Sequence, residues 1–226
     1  MQSRHCQARR SSCRATVAWR RLLIAAAMAV TELAYAGAQV EEPLADSVRS
    51  ALVAAVQDAV PPKASFDRIE ERLAYLRWLA ATSERLKSRK AEHATRVEFL
   101  EAVWYESRRA GLEPELVLGL IQVESGFRKY VVSKAGARGY MQVMPFWARL
   151  IGGGEPARLF HMQVNLRFGC VILRHYLDLE RGDLFMALGR YNGSRGRAEY
   201  PNAVLAARRA WLIDPSGDAP RTAARH

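Results

Sequence analysis

In the stretch GLIQVESGF, Gly119 to Phe127, one residue is chemically out of place. Glu124 falls three, four, seven and eight positions after Ile121, Leu120, Val117 and Leu116, so on a helix its carboxylate leaves from an apolar face. Burial there disfavours the charged form. Gly126 suits the left-handed position that ends a helix, which sets the carboxylate at the negative end of the helix dipole. Both effects favour the proton, and a carboxylic acid kept protonated near neutral pH is what a general acid needs. The alternative is structural: an ion pair with a neighbour such as Arg128, with Glu124 only finishing the helix.

The elements that must position such an acid read as helices throughout. Pro114 opens the Glu124 helix at a first-turn position, and ELVLGLIQVE is apolar nearly all round, as expected of the buried centre of a domain. Before it, DSVRSALVAAVQDAV (46–60) reads as a short helix, and Pro61 and Pro62 as a break. A long helix capped by Ser65 should follow, with Phe66, Ile69, Leu73, Leu76 and Leu79 on its inner face. The charge run SERLKSRKAEHATR predicts a solvated surface, and a helix resumes at Val97 with Leu100, Val103 and Ser107 on one face. After Glu124, VSKAGARGYMQVMP supplies a glycine-rich bend and a proline, VNLRFGCVILRHYLDLERGD an amphipathic helix, and LFMALGRYN a helix that stops at Asn-Gly. The predicted class is all-α. Residues 37–95 form an N-terminal helical extension, 96–206 the domain, and 207–226 a C-terminal tail rich in Pro, Gly, Ser and Arg.

The first 36 residues read as a secretory signal. They carry six arginines and one acid, then the apolar run Leu22–Val30, then small residues at A-x-A spacing, with cleavage expected after Ala36 or Ala38. The apolar run is far shorter than the ~20 residues of a membrane span. Removing this segment removes Cys6 and Cys13, leaving Cys170 as a buried small hydrophobe with no possible internal disulfide. It also lowers the net charge from +11 to +6, a balance that suits a polyanionic surface such as cell wall. Nucleic acid is excluded as a partner for want of a recognition motif. GARG lacks the Lys-Ser/Thr of a phosphate loop, and His93, His161 and His175 have no ligand spacing, so neither cofactor nor metal is expected.

Four motifs in order, VESGF, SKAGARGYMQVMP, VNLRFG and RYNGS, together resemble the lytic transglycosylase domain of the soluble, goose-lysozyme-like kind over about Val97 to Ala206. The resemblance implies a lysozyme-like fold with a cleft for peptidoglycan glycan strands. It makes Glu124 the single catalytic acid and base, with Ser125 beside it orienting substrate. It places Met141 and Gln142 of GYMQ along the cleft, and Tyr191 and Asn192 of RYN on the wall facing Glu124. Tyr140 and Arg190 depart from the family's usual leucine and alanine.

The reaction implied is cleavage of the MurNAc–GlcNAc β-1,4 bond with formation of 1,6-anhydromuramic ends. Ordinary glycosidases need two carboxylates. Glu155 in a Gly-Pro-rich loop and Asp178, Glu180 and Asp183 at a solvated helix end are unconvincing as the second. A muramidase that hydrolyses the same bond, and a non-catalytic wall-binding or scaffold protein, are the alternatives. The expected location is the periplasm, and the N-terminal helices are candidates for pairing with a secretion or pilus assembly.

Overall fold

The computed structural model describes residues 39–57, 66–151 and 153–213. The expected signal segment, the Pro61–Pro62 break, the Ser65 cap and the residues from Asp214 onward lie outside the described residues. Among the described residues eight helices follow one another: α1 (Asp46–Gln57), α2 (Ile69–Leu86), α3 (His93–Arg109), α4 (Pro114–Ser125), α5 (Pro145–Ile151), α6 (Met162–Leu179), α7 (Leu184–Asn192) and α8 (Glu199–Arg209), with a 3-10 turn at Pro156–Phe160 before α6. Among the described residues there is no strand. Two isolated bridges, Val132 with Arg138 and Arg138 with Val143, fold the glycine-rich bend back on itself. The all-α class is therefore as the periodicity indicates. No described helix is long and apolar enough to cross a membrane.

Helix α4 is the central element. Leu116, Val117, Leu118, Leu120 and Ile121 are all 4% exposed or less, as an apolar circumference requires. Helix α8 crosses α4 at Gly119: a Cβ there would lie 2.6 Å from the Arg208 nitrogen and 3.0 Å from the Val204 carbonyl oxygen. Only a residue without a side chain lets the two backbones approach this closely. Helix α8 runs to Arg209 and Trp211 is 4% exposed, so ordered packing continues into the stretch expected as tail. A buried ion pair ties α3 to α6, with Arg167 donating twice to Glu106 at 3.0 and 2.7 Å. Such a pair contributes register more than net stability.

Two expectations about the N-terminal extension are corrected. On α2 the buried residues are Tyr75, Trp78, Thr82, Ser83 and Leu86, while Ile69, Leu73 and Leu76 are 63%, 45% and 46% exposed. An aromatic cluster decides the face: Trp104 of α3 packs on Tyr75 and Trp78 at ring separations of 5.1 and 4.9 Å. Ring–ring packing adds about 0.5–1.5 kcal/mol per pair beyond area burial, which the aliphatic stripe cannot supply. The charge run is not all surface either. Its first part finishes α2, and α3 already starts at His93, where the Glu92 carboxylate accepts from the Ala94 and Thr95 amides. Arg96, 5% exposed, donates to Ser83 Oγ and to the carbonyls of Lys90 and Ala91, bracing the turn between the helices.

Candidate active site

Glu124 lies in the last turn of α4 and is 6% exposed. Gly126 takes the left-handed conformation at φ 57, and Phe127 follows at φ 66. A left-handed aromatic residue costs roughly 1–3 kcal/mol, so the surrounding packing must enforce this turn. Phe127 is held between Phe99 and Trp211 at ring separations of 6.1 and 5.3 Å. The Arg128 Nε donates to the Ser125 carbonyl at 2.9 Å, as cations at helix C-termini do. Ser125, 1% exposed, donates its hydroxyl to the Ile121 carbonyl at 3.1 Å.

A residue not foreseen from the sequence holds the acid. Tyr200, at the start of α8, donates its hydroxyl to Glu124 Oε1 at 2.5 Å. Burial pushes the Tyr200 phenol well above its ordinary range, and the charge of Glu124 and their hydrogen bond push the same way. Tyr200 is thus a fixed donor, locking one carboxylate oxygen in place.

The loop carrying Met141 and Gln142 is braced from α6. Asn165, 1% exposed, accepts from the Met141 amide at 2.8 Å and donates to the carbonyls of Arg138 and Leu159, both at 2.8 Å. Gly139, at φ 76, is indispensable to this clasp, because a Cβ there would meet Asn165 Nδ2 at 2.4 Å. Gly169 one turn further along α6 leaves room for Met141, whose sulfur would stand 2.3 Å from an added Cβ. The motif VNLRFG is therefore the support of GYMQ. Met141 is fully buried. Gln142, also fully buried and at φ 47, donates its amide to the carbonyls of Val131 and Gly139 at 3.1 and 2.9 Å, and its Oε1 accepts no hydrogen bond.

The RYN motif ends α7. The Tyr191 hydroxyl donates to the Met141 carbonyl at 2.8 Å, joining the RYN and GYMQ motifs directly. Burial first, and then the charge of Glu124, push the Tyr191 phenol well up, with the Gln39 side chain opposing them. Asn192 donates to Ser194 Oγ at 3.1 Å, and its buried Oδ1 accepts no hydrogen bond.

The two departures from the family pattern find partners. Tyr140 is 3% exposed, packs on Phe99 at 4.9 Å and accepts from Lys90 Nζ at 2.7 Å. Arg190 pairs with Glu180 and, at 2.9 Å, with Glu42. Glu180 is consequently not a solvated carboxylate. Arg195 and Arg190 bind it and hold it down at about 2.

Comparison with known proteins converges on this region. Residues 101–209 match the Transglycosylase SLT domain, bearing out the family read from the four motifs. Among curated proteins the chain is similar to "Membrane-bound lytic murein transglycosylase C" of Glaesserella parasuis serovar 5, 39% identical over 136 residues, which is 52% of this chain and 37% of that protein. The protein of the same name from Actinobacillus pleuropneumoniae serotype 5b is 38% identical over 84 residues, 34% of this chain and 23% of that protein. "Transglycosylase" of Enterobacteria phage PRD1 is 32% identical over 116 residues, 48% of this chain and 42% of that protein. The chain thus spans less than half the length of these relatives. A solved lytic transglycosylase Slt from Pseudomonas aeruginosa is 20% identical, covering 62% of this chain and 29% of that one, with a TM-score of 0.45.

Proposed function

We propose, from the SLT-domain match over residues 101–209, that this protein is a peptidoglycan lytic transglycosylase. The observation that carries the reading is a buried carboxylate, Glu124, at the end of the central helix, with one oxygen held by Tyr200. Glu124 protonates the glycosidic oxygen between MurNAc and GlcNAc as the C1–O bond breaks, and the substrate's own acetamido group shields the developing oxocarbenium ion. Glu124, now a base, takes the proton of the muramic C6 hydroxyl as that oxygen bonds to C1. The product is a 1,6-anhydromuramic end, and no water is consumed. Ser125, Met141, Gln142, Tyr191 and Asn192 form the substrate side of the site. The free acceptors on Gln142 and Asn192 suit sugar hydroxyls or amide N–H groups.

The hydrolytic alternative needs a second carboxylate. The candidates from the sequence are engaged elsewhere: Glu180 by two arginines, Asp183 by the Met186 amide as the cap of α7, and Asp178 by Arg174. Glu155 is exposed. The reading extends to export by the segment 1–36 and to action in the periplasm. It also includes recruitment to a secretion or pilus assembly through residues 37–95, which a pull-down with and without those residues checks; equal recovery refutes recruitment. The enzymatic claim is tested by Glu124→Gln, which should bind glycan strands and release no fragments. Release at the wild-type rate refutes it.

A further inference from the structure

The stretch just before α1 has no secondary structure, yet it is not a loose arm. Gln39 is 4% exposed, and its Oε1 accepts from the Met144 amide at 3.3 Å, two residues beyond Gln142. Its side chain also reaches the neighbourhood of the Tyr191 hydroxyl. Three residues on, both oxygens of Glu42 accept from Arg190 Nη1, at 2.9 and 3.2 Å. Between and after these anchors, Val40, Pro43 and Leu44 line one small cavity together with Trp147, His175 and Tyr176. Two of the residues engaged, Arg190 and Tyr191, belong to the RYN motif itself.

The chemistry presented there is a carboxamide followed by a carboxylate. A peptide-bearing glycan strand offers the same pair, the acetamido group of a sugar and the carboxylates of its lactyl-peptide stem. The geometry points to residues 39–42 as an internal occupant of the substrate's place. Gln39 stands where an acetamido group binds, and Glu42 holds Arg190 until a substrate carboxylate replaces it. This inference rests on the transglycosylase reading above.

The occupant is built to be displaced. Gln39 Nε2 is buried, and beyond its longer-range interaction with the Tyr191 hydroxyl it finds no acceptor at hydrogen-bond distance, a fit that a better-placed amide would improve. The Glu42 side chain is 49% exposed, so its ion pair is screened and weak. Arg190 thereby gains a role beyond its pair with Glu180.

The test uses the full chain, the variants Glu42→Gln and Gln39→Ala/Glu42→Gln, and two readouts. One is calorimetric binding of N-acetylchitopentaose, and the other is release of anhydro-ended fragments from peptide-bearing peptidoglycan. Thermal melting checks that each variant is folded; Glu42→Gln, at a half-exposed position, covers the case in which the double variant is not. Losing a screened ion pair should tighten sugar binding and raise release roughly two- to fivefold. The double variant should gain roughly tenfold. Unchanged or weaker binding, with anhydro ends formed by all three proteins, overturns internal occupancy alone. Tighter binding by the variants, with no anhydro ends from any protein, supports occupancy and overturns the transglycosylase reading. No binding and no anhydro ends from any of them overturns both.

Discussion

Gly119→Ala is the substitution in which two effects of opposite sign can be weighed. Alanine inside a helix is favoured over glycine by about 1 kcal/mol, so on propensity alone the change stabilises α4. The added Cβ, however, would lie 2.6 Å from the Arg208 nitrogen, 2.9 Å from its Cα and 3.0 Å from the Val204 carbonyl oxygen. All three are backbone atoms of α8, which cannot rotate away as a side chain can. Relief requires α8 to move off α4, and overpacking of this kind costs about 1–3 kcal/mol. The net expectation is a loss of about 1 kcal/mol. The displacement also reaches the site, because Tyr200 rides on α8 and its bond to Glu124 is only 2.5 Å long. Urea unfolding should show a lower midpoint with an unchanged slope, and turnover should fall further than the loss of folded protein explains. A midpoint equal to or above wild type with full turnover would refute the reasoning that α8 positions the acid through this contact.

Three further outcomes follow from the same geometry. Tyr200→Phe keeps the ring and removes the donor to Glu124; a hydrogen bond to a charged group contributes about 1.5–3 kcal/mol, so kcat should drop roughly tenfold or more, and steady-state kinetics at one pH checks it. Asn165→Ala strips three hydrogen bonds from the loop that carries Met141 and Gln142; it should lower the melting temperature and turnover together, and a variant with normal turnover would show that the loop needs no brace. Glu180 is held from its ordinary 4.5 down to about 2 by Arg195 first and Arg190 second. Its contribution is therefore present above pH 4.5 and is lost as pH falls towards 2, so Glu180→Gln should flatten the acid limb of the melting temperature against pH.

Much of the site was legible because it is local in sequence. Glu124, its apolar face and the Gly126 stop fall within about three helical turns, where spacing alone dictates geometry. The helical class was equally open to periodicity. Tyr200 was not: it lies 76 residues from Glu124, and a lone tyrosine opening a helix carries no signal of its target. The inner face of α2 was misread because an aliphatic stripe and an aromatic stripe compete on one helix, and the choice is made by Trp104 on another. Arg96 and Glu180 looked solvated by residue type, yet each is drawn in by partners that only the fold supplies: carbonyls of the α2–α3 turn for Arg96, and Arg190 with Arg195 for Glu180. Arg190 and Glu42, 148 residues apart, belong to the same class of long-range pairing.

The central claim is that one carboxylate serves as both acid and base. Mass spectrometry of purified peptidoglycan digested with the wild-type protein and with Glu124→Gln tests it most directly. The account predicts fragments ending in 1,6-anhydromuramic acid, lighter by one water than reducing-end fragments, from the wild type, and none from the variant. Reducing ends from the wild type would contradict it, since they require a held water and a second carboxylate.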